Sequence, residues 1–106
     1  MSLDIYLSGP EVVLVEHFSA NYTHNVVSMW NLAGVYDALY MSAGRLAKDI
    51  LPALKSGLID MKTNPDPYKA MNPENGWGSY ETAVPWLEAL IAACEENPES
   101  IIGVSK

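Results

Sequence analysis

The chain opens on strict alternation. Leu3, Ile5 and Leu7 interleave with Asp4, Tyr6 and Ser8, the period-two pattern of a strand with one buried face. Ser8-Gly9-Pro10 interrupts the pattern. Residues 11–18 are rich in β-branched side chains and predict the return strand of a hairpin. Val12, Leu14 and Phe18 fall on one of its faces, Val13, Val15 and His17 on the other. Apolar residues on both faces imply an inner strand, or a face covered by a second copy of the protein.

The period then lengthens to that of helices. Val26, Met29, Trp30, Ala33 and Tyr40, widened by Leu32, Val35 and Leu39, predict one central helix over residues 23–41. Thr23 or Asn21 is suited to cap it. His24, Ser28 and Asn31 form a narrow polar seam at i, i+4 and i+7. A second helix is predicted over residues 43–62 from Leu46, Ile50, Leu54, Leu58 and Met61, with Pro52 marking a kink or a late start. Residues 65–78 read as a loop with one short helical turn at 67–71. The cleanest period follows Ser79, a suitable cap: Tyr80, Val84, Leu87, Ile91 and Cys94 step by four, three, four and three. Asn97-Pro98 stops this helix, and Ile101, Ile102 and Val104 make a closing strand. The expected fold is therefore α+β, a small antiparallel sheet (N-terminal hairpin plus C-terminal strand) packed against about three helices. Its 106 residues suit one domain, 1–106, able to bury a core without staples.

Charge is unevenly placed along this framework. The net value of −7 argues against a broad nucleic-acid surface. Residues 1–44 hold four acids and no Lys or Arg; residues 72–99 hold six glutamates and no base. Lys48, Lys55 and Lys62 repeat every seven residues on the second helix, as do Glu81, Glu88 and Glu95 on the last. Antiparallel helices with these rows facing each other are favoured over an anion track. No basic stretch precedes an apolar run and no run is long enough to cross a bilayer, so neither export nor a membrane role is expected. The single Cys94 fits a reducing cytoplasm and, lying on an apolar stripe, a buried thiol.

Phosphate-binding glycine loops, zinc spacings and nucleophile elbows are absent from the sequence. No cofactor, no metal and no catalytic residue is expected. Asp37 falls inside the apolar stripe of the long helix, where a carboxylate needs a partner. The candidate chemistry gathers in two places. One is Thr23-His24-Asn25, where a helix start offers free N–H groups. The other is Asn72–Glu81, "NPENGWGSYE", in which Asn75-Gly76 suits a turn and Trp77 stands between two glycines. Trp77 beside Tyr80 is either a core plug or a stacking wall.

These blocks, together with "AGVYDALY" at 33–40, the Leu-Pro and Gly-Leu of "ILPALKSGL", "AC" at 93–94 and a closing "VS", resemble a family of small proteins encoded by tailed phages, prophages and some bacteria. The resemblance covers most of the chain from Tyr22 onward. It implies no activity, but marks Thr23, His24, Asn25, Asn75, Gly76, Trp77, Gly78, Tyr80 and Glu81 as motif positions. A Trp-Arg-Pro-Glu insertion common in that family is missing after Tyr40. The leading expectation is a cytoplasmic binding protein of a bacterial host. Its site would be formed by Thr23, His24, Asn25, Asn75, Trp77, Gly78, Tyr80 and Glu81 and would take a nucleotide-like or other small molecule. One alternative is a small hydrolase or metal-assisted enzyme using His24 with Asp37 or Glu81. Another is an acidic inhibitor of a host protein, and a homo-oligomer formed through the sheet is a further possibility.

Overall fold

The computed structural model describes residues 2–8, 16–23, 26–74 and 78–105. Three strands, β1 (Ser2–Ser8), β2 (Glu16–Thr23) and β3 (Ile101–Ser105), form an antiparallel sheet in the order β2-β1-β3. The hairpin strand thus lies between its return strand and the chain's last strand. Leu3, Ile5 and Leu7 are fully buried while Asp4, Tyr6 and Ser8 are half-exposed, as the alternation requires. On the outer face Tyr6 stands opposite Gly103, and Asn21 Nδ2 donates to Asp4 Oδ1 across the hairpin at 2.8 Å.

β2 continues further along the chain than its composition predicts, to Thr23. It pairs from Glu16, opposite Ser8, to Thr23, opposite Ser2. Residues 11–15, and with them most of the two-faced apolar run, lie outside the described residues, as do the side chains of His17 and Phe18.

The long helix expected over residues 23–41 is two short helices, α1 (Val27–Ala33) and α2 (Tyr36–Tyr40). Its start is delayed because Asn21 and Thr23 belong to the strand. The N-cap is Val26, which makes no side-chain cap bond. Its middle is broken at Gly34, whose φ of 77° is the left-handed conformation favoured by glycine. The Gly34 N–H donates to the Asn31 carbonyl at 3.2 Å and the Val35 N–H to the Trp30 carbonyl at 3.0 Å, the paired bonds of a Schellman termination. The break resets the helical phase. Asp37, expected within the buried stripe, instead lies in the first turn of α2 and faces solvent. On the same short helix Tyr36 and Tyr40 stack with centroids 4.7 Å apart.

α3 (Ala47–Thr63) begins four residues later than predicted, which leaves Pro52 in its second turn. Its first amides are held by the chain leading into β3: Ala47 N–H donates to the Ser100 carbonyl at 2.8 Å and Lys48 N–H to the Pro98 carbonyl at 3.0 Å. Asp49 Oδ2 accepts from the Leu46 N–H at 3.4 Å. α1 crosses α3 at Gly57. A Cβ there would lie 2.3 Å from Val35 Cγ1 and 3.0 Å from the Ala33 carbonyl oxygen, so only glycine permits this approach. A short helix, α4 (Pro65–Lys69), occupies the loop about two residues before the predicted turn.

α5 (Tyr80–Glu96) runs antiparallel to α3, and the predicted charge rows meet. Lys62 pairs with Glu88 at 2.6 Å and Lys55 with Glu95 at 2.9 Å; Lys48 reaches Glu99 at 2.9 Å in the turn beyond α5. Glu81 takes no part, because α3 has ended where it would need a partner. These pairs are half-exposed, so each adds about 0–1 kcal/mol. The stability lies beneath them, where Leu54 and Met61 of α3 and Leu87, Leu90 and Cys94 of α5 are fully buried with Leu3, Ile5 and Leu7. Burial, then the neighbouring Glu95, pushes the Cys94 thiol up to about 11, the state of an inert core cysteine. No described helix is long and apolar enough to cross a membrane.

Candidate functional site

Around the two motifs, the described residues meet at Gly78. This glycine has φ 88°, and a Cβ on it would lie 2.6 Å from Thr23 Cγ2 and 3.1 Å from Val26 Cγ1. The residues on either side of His24 and Asn25 therefore abut the residue that follows Trp77. His24, Asn25, Asn75, Gly76 and Trp77 themselves lie outside the described residues.

Tyr22 ties the junction together. Its hydroxyl accepts from the Ser79 N–H at 3.3 Å, lies 3.3 Å from the Ser79 carbonyl, and hydrogen-bonds the Thr82 hydroxyl. Ser79 is the N-cap of α5, as predicted, and its Oγ accepts from the Thr82 N–H at 3.3 Å. The Thr82 hydroxyl lies 3.2 Å from the Ser79 amide nitrogen. The end of β2 is thereby fastened to the first turn of α5 through the side chain of one tyrosine.

The remaining predicted positions divide. Thr23 ends β2, half-buried with its methyl against Gly78. It is the last residue of a strand, and the N-cap of α1 is Val26. Tyr80 opens α5, and its groups are engaged within the fold. Its hydroxyl donates to the Met61 carbonyl at 2.8 Å, its N–H donates to Asn72 Oδ1 at 2.7 Å, and Lys69 Nζ lies 5.5 Å from its ring centroid. One residue further on, Glu81 is exposed in the first turn of α5, where a carboxylate suits the helix dipole. Asn72, Gly78, Ser79 and Tyr80 thus account for much of "NPENGWGSYE" as a device that starts α5. On the polar seam, Ser28 and Asn31 are exposed.

Behind the junction lies an aromatic cluster that sequence reasoning missed. Tyr22, Trp30 and Trp86 pack with centroids 5.4–6.1 Å apart and tilted planes. Trp86 lies off the regular apolar stripe of α5. The available signal was a second row, Ser79, Thr82 and Trp86 at i, i+3 and i+7. Among the described residues, the buried side-chain polar atoms without a hydrogen-bond partner are Trp30 Nε1, Trp86 Nε1 and Ser42 Oγ. A buried donor left unpaired costs about 1–3 kcal/mol, so two of them in neighbouring rings require an explanation.

A further polar cluster holds the C-terminal end of α3. Asp60 accepts from the hydroxyl of buried Tyr68 and, at 3.1 Å, from Asn64 Nδ2. Burial, then the Asp60 hydrogen bond, pushes the Tyr68 hydroxyl well above its ordinary range. This arrangement is a fully paired clasp between α3 and α4. Among the described residues no three His, Cys, Asp or Glu side chains converge as a metal site requires. Neither histidine side chain is among those described. No family model, curated protein or solved structure matches the chain.

Proposed function

We propose that the protein is a small non-enzymatic binding module of the phage- and prophage-encoded kind it resembles, working in the bacterial cytoplasm. Its site lies where Thr23-His24-Asn25 meets the Asn75–Glu81 segment, and its ligand is a small, ring-bearing molecule such as a nucleotide-like metabolite. The observation that carries this reading is the contact of Gly78 with Thr23 and Val26, which brings together two motifs more than fifty residues apart in sequence. Within them the fold already uses Asn72, Ser79 and Tyr80. His24, Asn25, Asn75, Trp77 and Glu81 are the positions that would meet a ligand, with Trp77 stacking and the others hydrogen bonding.

The rival readings have less to stand on. Asp37 is exposed in the first turn of α2, outside the apolar stripe that singled it out. Glu88 and Glu95 are already paired with lysines, which shortens the acidic surface an inhibitor would use. Native mass spectrometry of freshly purified protein tests the proposal. A small molecule retained by the wild type and lost from Trp77→Ala and His24→Ala, both still folded by circular dichroism, supports it. Unfolding of both variants would make the motifs structural.

A further inference from the structure

We infer that the outer face of the α3–α5 pair is an interface for a second copy of this chain, docked with α3 of each copy on α5 of the other. The two helices follow one template. Each is 17 residues long with a proline at its sixth position, and each closes on Asn-Pro. On an offset of 33 residues Pro52 falls on Pro85, Leu54 on Leu87 and Asn64 on Asn97. The two asparagine C-caps share one conformation, φ −126° and ψ 69° against φ −130° and ψ 58°. The same offset lays Lys55 on Glu88 and Lys62 on Glu95. Exchanging the helices therefore turns the Lys62–Glu88 ion pair into the Glu95–Lys55 ion pair. The two helices are related by a local twofold with the charges reversed.

Between the two ion pairs lies the most exposed large apolar side chain among the described residues. Ile59, 65% exposed, follows Lys55 by four residues and precedes Lys62 by three, so it shares their side of α3. Ala92, its counterpart on the offset, stands in the same relation to Glu88 and Glu95 on α5 and is exposed too. The neighbouring exposed residues are short, Pro52 and Ser56 on α3, Pro85 and Ala89 on α5. Such a surface complements itself about one axis. A twofold lying along the groove between the helices sets each lysine row over the partner's glutamate row and each Ile59 on the partner's Ala92. A twofold lying across the helices would set lysine on lysine and glutamate on glutamate. In the favoured arrangement the separate ion pairs become four-membered networks, the case in which exposed charges contribute measurably. Helices of this length extend about 25 Å, so the face buries on the order of 1,000 Å² in total, the low end for specific contacts. The net charge of −7 on each copy opposes association. The dimer is therefore transient, with a Kd on the order of 100 μM.

Sedimentation equilibrium of the whole protein tests this, from about 10 to 500 μM in about 0.15 M salt, where charges are screened beyond about 8 Å. The wild type should pass from monomer toward dimer over that range. Ile59→Glu sets an acid opposite the partner's glutamate row from an exposed position. It should leave the circular dichroism spectrum unchanged and weaken association at least about tenfold. A quadruple variant, Lys55→Glu, Lys62→Glu, Glu88→Lys and Glu95→Lys, keeps both intrachain ion pairs with their signs exchanged. It should dimerise like the wild type, yet form no mixed dimers with it, because lysine would then face lysine. Native mass spectrometry with one of the two proteins 15N-labelled reads the mixed species. A wild type still monomeric at about 500 μM, an Ile59→Glu variant that associates equally well, a quadruple variant that stays monomeric, or mixed dimers as abundant as the pure ones would each overturn the inference.

Discussion

The hydroxyl of Tyr22 lies between the backbone N–H and carbonyl of Ser79, 3.3 Å from each, and so joins the end of the hairpin's second strand to the first turn of a helix 57 residues away. The same oxygen bonds the Thr82 hydroxyl. Tyr22→Phe keeps the ring in its aromatic cluster and removes all three contacts. Ser79 and Thr82 still satisfy each other in part. The expected loss is about 1–2 kcal/mol in urea melts, the range for a partly buried hydrogen-bonded hydroxyl. A double-mutant cycle with Thr82→Val should show coupling of about 0.5–1 kcal/mol, since the two side chains share one network. Independent additive losses would mean that the hydroxyl is solvated instead.

Gly78 and Gly34 separate two reasons for keeping glycine. Both have positive φ, 88° and 77°. A Cβ at Gly34 meets nothing within 4 Å, whereas one at Gly78 strikes Thr23 and Val26. Gly34→Ala should therefore cost only the left-handed backbone penalty, about 1–2 kcal/mol. Gly78→Ala should cost clearly more, about 3 kcal/mol or above, because the junction must also open. Thermal or urea melts of the two variants decide the order. A Gly78→Ala loss no larger than that of Gly34→Ala would mean that Thr23 can yield freely.

How much of this could be read from the sequence depends on the range of the interaction. The lysine and glutamate rows were legible because a seven-residue spacing fixes one helix face; their register was not, since a heptad repeat allows shifts of seven and Lys62 meets Glu88 rather than Glu81. The Ser79 cap and the Asn97 stop were legible because both are local chemistry. Thr23 was misplaced because its backbone is claimed by Ser2 across the hairpin, a pairing that no local propensity reports. Asp37 was misplaced for a different reason. The helix expected over residues 23–41 runs through Gly34 without a stop, although a glycine followed by an apolar residue is also how a Schellman motif reads. Trp86 was passed over because only the contact with Tyr22 reveals that Ser79, Thr82 and Trp86 form a row of their own.

The exposure of Asp37 makes a simple claim. Asp37→Asn and Asp37→Ala should change stability by no more than about 0.5 kcal/mol, as for surface positions generally. By contrast Gly57→Ala, a change that raises helix propensity, should destabilise by about 1–3 kcal/mol because its methyl overlaps Val35. Chemical denaturation measures both, and a large Asp37 effect would restore the buried carboxylate that the broken helix removes.

Alkaline pH should unfold this protein ahead of neutral or mildly basic conditions, and the sign follows from three raised groups. Burial, then the neighbouring Tyr36, pushes Tyr40 up to about 12. Cys94 rises to about 11, and Tyr68 is raised as well. In each case the folded chain holds a proton that the unfolded chain has released. The stability so gained is fully present below the unfolded values, about 8.5 for Cys and 10 for Tyr. It is lost as pH climbs through the folded ones. Urea midpoints should stay level to about pH 8.5 and then fall steadily toward pH 12, with Tyr40 and Cys94 each contributing on the order of 2 kcal/mol. Tyr40→Phe should flatten the upper part of that fall, and labelling of the thiol by a disulfide reagent at pH 8 should proceed only at the rate of unfolding. Rapid labelling of the folded protein, or a midpoint that holds constant to pH 11.5, would show that these side chains reach solvent.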